Sequence, residues 1–199
     1  VATLAGEIRT IFRNDANPRR YVAPVDWLRD GRTILATLQR ADNTWTIGFI
    51  PAAGGPFTPL RSLQWTGGHP DRPRVSPDGR FIVFADGAAG ARDIHVLSLD
   101  GRMASPLTNH PADDGNPIWS PDGKEIVFAS DREGQMGLYR KAVDGSETES
   151  LVTMVDGARL LVPTDWSPDG KYILFDRGRG ARSVWAVPLV GDRKPVQVI

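Results

Sequence analysis

At 199 residues, 40% hydrophobic and 24% charged, the chain is long enough to bury a sizeable core and reads most simply as one globular domain. Lys plus Arg and Asp plus Glu both number 24, so no net charge draws it to nucleic acid or to an anionic membrane, and no apolar run approaches membrane-spanning length. Cysteine is absent, which excludes disulfides and thiolate metal sites.

In chain order, Val1 to Gly6 reads as an alternating strand closed by a turn, and Glu7 to Phe12 as a further strand. Because the sequence starts at Val1 rather than Met, the natural protein is expected to continue upstream. Next comes Trp27-Leu28-Arg29-Asp30-Gly31, the first and most eroded copy of a turn. It recurs as Val75-Ser76-Pro77-Asp78-Gly79, Trp119-Ser120-Pro121-Asp122-Gly123 and Trp166-Ser167-Pro168-Asp169-Gly170, with the glycines 48, 44 and 47 residues apart. That period belongs to stacked supersecondary units, propeller blades among them. The turn has a mechanism: Ser bonds the backbone two residues on, Pro presets φ, Asp suits the third position and Gly takes the left-handed conformation.

Each turn is followed by consecutive apolar residues, as at Thr33 to Ala36, Phe81 to Phe84, Glu125 to Phe128 and Tyr172 to Phe175, the mark of a strand covered on both faces. A third, alternating strand follows at Trp45 to Ile50, Ile94 to Leu99, Leu138 to Val143 and Val184 to Leu189. Turn glycines Gly54, Gly101, Gly145 and Gly191 then lead to a weaker fourth strand, with Pro59, Pro106, Pro188 and Pro195 at edge or near-edge positions. The expected fold is all-β, a β-propeller of four-stranded antiparallel blades at residues 22–62, 73–108, 117–152 and 163–199. Residues 1–13 are expected to form a half blade before them, and the whole to be part of a larger propeller of six or seven blades, with a free-standing four- or five-bladed ring as the alternative.

The unit Pro117-Ile118-Trp119-Ser120-Pro121-Asp122-Gly123-Lys124, with Ile126 to Arg132 and Leu138-Tyr139, resembles the WD-like repeat of the TolB-type propeller family, and the resemblance runs through four copies. It implies one of three settings: a periplasmic interaction domain, the gating domain of a prolyl-oligopeptidase-like peptidase, or a sensor region of a bacterial serine/threonine kinase. The segment from Val184 to Pro195 is similar to one common in the kinase-linked group. An extracytoplasmic setting in a bacterium follows from this resemblance alone. Two departures, Leu28-Arg29 in place of Ser-Pro and Val75 in place of Trp, imply less uniform packing of the first two blades.

Chemistry is hard to find. There is no Gly-x-Ser-x-Gly elbow, phosphate loop, kinase signature or His-Glu-x-x-His. The run Arg177 to Arg182 has the wrong glycine spacing for a phosphate loop. His69, His95 and His110 show no convergent partners, and Asp30, Asp78, Asp122 and Asp169 have sufficient roles in their turns without calcium. Trp27, Trp119 and Trp166 recur in register and read as packing between blades. No catalytic residue, cofactor or metal is expected.

What remains is one rim, formed by the loops leading into each first strand together with those joining second and third strands. These loops concentrate mixed charge, from which Asp71, Arg72, Asp113, Asp114, Asp131, Arg132, Arg177 and Arg179 form the candidate binding rim. A mixed-sign rim suits a protein or peptide ligand. The expected function is therefore non-catalytic binding, with substrate gating for a catalytic domain outside the chain as the alternative. Further blades or a fused domain are the expected partners within the longer protein.

Overall fold

A computed structural model of the chain describes residues 10–13, 21–178 and 183–198. Sixteen strands form four antiparallel sheets in simple up-and-down order, each a blade of a β-propeller. The first blade holds β1 (Val22–Trp27), β2 (Thr33–Gln39), β3 (Trp45–Pro51) and β4 (Thr58–Ser62). The second holds β5 (Arg74–Val75), β6 (Phe81–Ala88), β7 (Ala91–Ser98) and β8 (Ala104–Pro106). The third is β9 (Gly115–Trp119), β10 (Glu125–Ser130), β11 (Gly137–Ala142) and β12 (Ser150–Met154). The fourth is β13 (Leu161–Trp166), β14 (Tyr172–Arg177), β15 (Ser183–Pro188) and β16 (Val196–Gln197). Of the expected half blade, residues 1–9 lie outside the described residues and residues 10–13 are not in a strand.

The repeated turn closes as its chemistry requires. In the third blade Ser120 Oγ donates to Asp122 Oδ1 at 2.6 Å and accepts from the backbone of Lys124 and Glu125. Gly123 sits at φ 72°, a region that suits glycine. The same bonds recur around Ser76 and Ser167. In the eroded first copy Asp30 accepts from the backbone of Arg32 and Thr33 and from the Thr33 hydroxyl, so the missing serine is replaced by a threonine on the other side of the turn. In all three intact turns the serine hydroxyl, then the backbone N–H, hold the aspartate below its ordinary pKa.

Packing follows one rule between successive blades. The second and third strands of a blade present an aromatic cross-strand pair to the blade before: Phe84 with His95, Phe128 with Tyr139, Phe175 with Trp185, each stacked at 5.5 to 6.5 Å. The blade before receives the pair on an aliphatic face, as when Val83, Ala85 and Ile94 meet Phe128 and Tyr139. Three such clusters make up the core. The first blade has Ala36 opposite Gly48 where the pair would stand. Phe57 lies directly over Gly48, so that a Cβ there would stand 2.8 Å from its Cε1, and Phe12 packs on Phe57 at 6.3 Å. This substitute cover is why β3 is buried on both faces rather than alternating as expected.

Two of the three recurrent tryptophans pack between blades. Trp119 and Trp166 are buried, and Trp119 Nε1 donates to the Arg74 carbonyl across the blade boundary. Trp27 does not: it is 50% exposed.

Candidate functional site

The rim is built where the first strands begin. Asp71 precedes β5, Asp113 and Asp114 precede β9, and Arg92 and Arg132 lie in or beside the β6–β7 and β10–β11 hairpins. Arg92 links two of these loops. Its Nε and Nη2 hold both oxygens of Asp113, at 2.8 and 2.7 Å, and its Nη1 holds Asp71 at 2.7 Å, while the guanidinium covers the Trp65 ring at 5.0 Å. Burial works against the charge on both groups. For Asp113 it is outweighed by the Arg92 hydrogen bond and charge, which keep the carboxyl below its usual range. For Arg92 it is outweighed by Asp113 and Asp71, which push the guanidinium up.

Gly115 explains how the loops come so close. A Cβ there would lie 2.6 Å from Asp71 Oδ2 and 2.7 Å from Arg92 Nη2, so a side chain at this position would displace the ion pair under which β9 starts. The next residue, Asn116, takes the left-handed conformation at φ 53°, and its N–H donates to Asp71 Oδ2 at 2.8 Å. Asparagine is among the few side chains that tolerate that region.

A second lock sits one blade on. Asp114 is fully buried, and both its oxygens accept from Arg132 Nη2, at 3.0 and 2.9 Å. Arg132 lies over Tyr139 at 4.5 Å and Phe128 at 5.3 Å, and it bonds Ser130 Oγ. Asp131 accepts from the Asp113 N–H at 3.1 Å, which joins the two locks into one network. Asp86 and Asp93 fasten the neighbouring loops through the N–H groups of Gln64, Trp65 and His110.

Five of the eight candidate rim residues, Asp71, Asp113, Asp114, Asp131 and Arg132, thus converge in one internal network. Arg177 stands apart in the fourth blade, donating to the Asp156 carbonyl at 2.8 Å and covering Trp185. Arg179 lies outside the described residues. Arg72 is exposed and lines a pocket of about 290 Å³ at the first strands of three blades. The other lining groups are His69, Asp71 and Arg74 from the second blade, Asn116 and Ile118 from the third, and Val162, Thr164 and Asp176 from the fourth. Three blades thus meet at this channel mouth.

Sequence reasoning did not single out Arg74 and Asn116. The available signal was their position at the inner ends of β5 and β9, which the turn spacing already fixes. The histidines are in structural contacts: His95 is stacked on Phe84, His69 lies against Trp45 at 4.9 Å, and His110 Nδ1 accepts from the Ala112 N–H.

Comparison with known proteins agrees with this architecture. The family model described as TolB beta propeller domain matches residues 61–192. A Tol-Pal system protein TolB from Anaeromyxobacter dehalogenans is 38% identical over 96 residues, covering 47% of this chain and 20% of the relative, so the chain matches about a fifth of that protein's length. The crystal structure of TolB from Acinetobacter baumannii superimposes with a TM-score of 0.74 at 22% identity, over 99% of this chain and 47% of that one. A prolyl endopeptidase structure superimposes with a TM-score of 0.59 at 17% identity, over 90% of this chain and 29% of that one.

Proposed function

The chain belongs to the TolB β-propeller domain family, and from that premise we propose that it is a non-catalytic module that binds a protein or peptide at the channel mouth of its loop-bearing rim. The observation that carries this reading is the division of labour on the rim. The Arg92 and Arg132 networks fix the loops, while Arg72, Arg74 and Asn116 stand in the pocket with no side-chain hydrogen bond or ion pair among the described residues. Binding groups held on a rigid scaffold lose little entropy on complex formation. Kinship with a Tol-Pal system protein supports the interaction role and an extracytoplasmic setting.

Random peptides displayed on phage and selected on the purified chain test the proposal. The affinity of enriched peptides is expected to fall about tenfold or more in Arg72→Glu and Arg74→Glu, the loss of a charge-assisted hydrogen bond. It is expected to stay unchanged in Arg102→Glu, an exposed residue of the β7–β8 turn. Enriched peptides indifferent to both channel-mouth substitutions, or a hydrolase activity of the chain abolished by one rim substitution, would overturn it.

A further inference from the structure

We infer that the channel-mouth pocket is a carboxylate subsite, taking the acidic side chain of a peptide between Arg72, Arg74 and Asn116; this rests on the binding role proposed above. The walls define the chemistry. From the second blade come two arginines, and from the third Asn116, whose backbone takes the left-handed conformation with its N–H bonded to Asp71. Guanidinium groups recognise carboxylates through paired N–H donors, and Arg74 is half-buried, where such bonds are less screened than in open solvent.

The pocket's own carboxylates set the limits. Asp71 faces it but is held by Arg92 and by the Asn116 N–H, so it does not compete for Arg72 or Arg74. Asp176 stands on the wall given by the fourth blade. A carboxylate presents two oxygens in one plane, which matches the paired N–H donors of a guanidinium, and it is the anion that a peptide side chain supplies. A volume near 290 Å³ lies at the small end of ligand sites, enough for one side chain rather than a folded partner. The site is therefore an anchor point within a larger contact.

The test is an amide-resolved NMR titration of the ¹⁵N-labelled chain with two capped tripeptides, N-acetyl-Gly-Glu-Gly-amide and its Gln counterpart, and with inorganic phosphate. The Glu peptide is expected to shift the amides of Arg74, Asn116, Ile118 and Thr164, about tenfold or more tightly than the Gln peptide. The response should weaken as salt is raised and vanish in the Arg72→Gln, Arg74→Gln double variant, whose amide spectrum elsewhere reports that the fold is intact. Equal binding of the Glu and Gln peptides at these amides overturns the carboxylate assignment and leaves the peptide-binding role standing. Tighter binding of phosphate than of the Glu peptide also overturns it, as does the absence of any shift at the channel mouth. If the phage-selected peptides bind elsewhere as well, the binding role falls with it.

Discussion

The third and fourth blades share the same Trp-Ser-Pro-Asp-Gly-Lys turn after their first strands and stack the same kind of aromatic pair, yet they are covered differently. In the third, β10 is buried on both faces, Trp119 Nε1 finds a carbonyl in the blade before, and Arg132 holds a fully buried aspartate. In the fourth, β14 is buried on one face only, Trp166 Nε1 has no acceptor among the described residues, and Arg177 bonds a backbone carbonyl. Tyr172, Val196 and Val198 are exposed there at 45%, 57% and 56%. The difference teaches that a blade supplies only half of its own burial. The apolar run that follows the turn encodes the capacity to be covered on two faces, and the neighbour decides whether it is.

The sharpest way to break this comparison is at the buried ion pair. Asp114→Ala takes the fully buried carboxylate from Arg132, leaving it only the longer contact with Glu149 at 3.9 Å, and is expected to cost about 3 kcal/mol in urea unfolding. Asp113→Ala, whose partner Arg92 keeps Asp71, should cost about 1 kcal/mol or less. Equal losses would mean that the two locks are not distinct. Next in size is the aliphatic face that receives the following blade. Leu138→Ala, at a fully buried position, is expected to cost about 2–5 kcal/mol. Leu174→Ala, half-buried on the uncovered face of the fourth blade, should cost about 1 kcal/mol. A similar loss at Leu174 would show that face to be covered in solution.

Smaller still is the turn. Gly123→Ala places a side chain at φ 72° with its Cβ 3.6 Å from Pro77, so strain rather than collision sets the effect, about 1 kcal/mol by the same denaturation measurement. Acid reports the weakest contributions. Burial lowers the pKa of His95 from its ordinary 6.5, so below that pH the unfolded chain takes up the proton more readily and stability begins to fall. Asp78, Asp113 and Asp122 are lowered from 3.8, so their contribution is complete above that value and is lost as the pH drops through their native ones. His95→Phe, which keeps the ring on Phe84, should remove the first decline and leave the second. An unchanged midpoint curve in that variant would exclude His95 as the source.

The blades were legible because turn chemistry is local. Four Asp-Gly turns and the apolar runs after them place sixteen strands without reference to anything distant. Trp27 misled because the repeat sets the register of the ring but not the neighbour that covers it: Trp119 and Trp166 are buried against the blade before their own, and Trp27 is half exposed. The rim was legible in part. Charge density pointed to loops that the structure brings together, but which arginine an aspartate meets is a tertiary fact, and the adjacent Asp113 and Asp114 meet different ones, Arg92 and Arg132. Arg74 and Asn116 were obscured by sitting in strands, where side chains are ordinarily assigned to packing.

One small exchange in the first blade reaches further than its size. Ala36 and Gly48 leave a hollow that Phe57, borne on the segment between β3 and β4, occupies from outside the strands. The hollow and the ring that fills it belong to different parts of the chain, so neither residue type is meaningful alone. A side chain at position 48 requires Phe57 to move, and a smaller residue at 57 leaves the hollow open. Positions 48 and 57 are thus a single steric unit, in which a change at one is tolerated only with a matching change at the other.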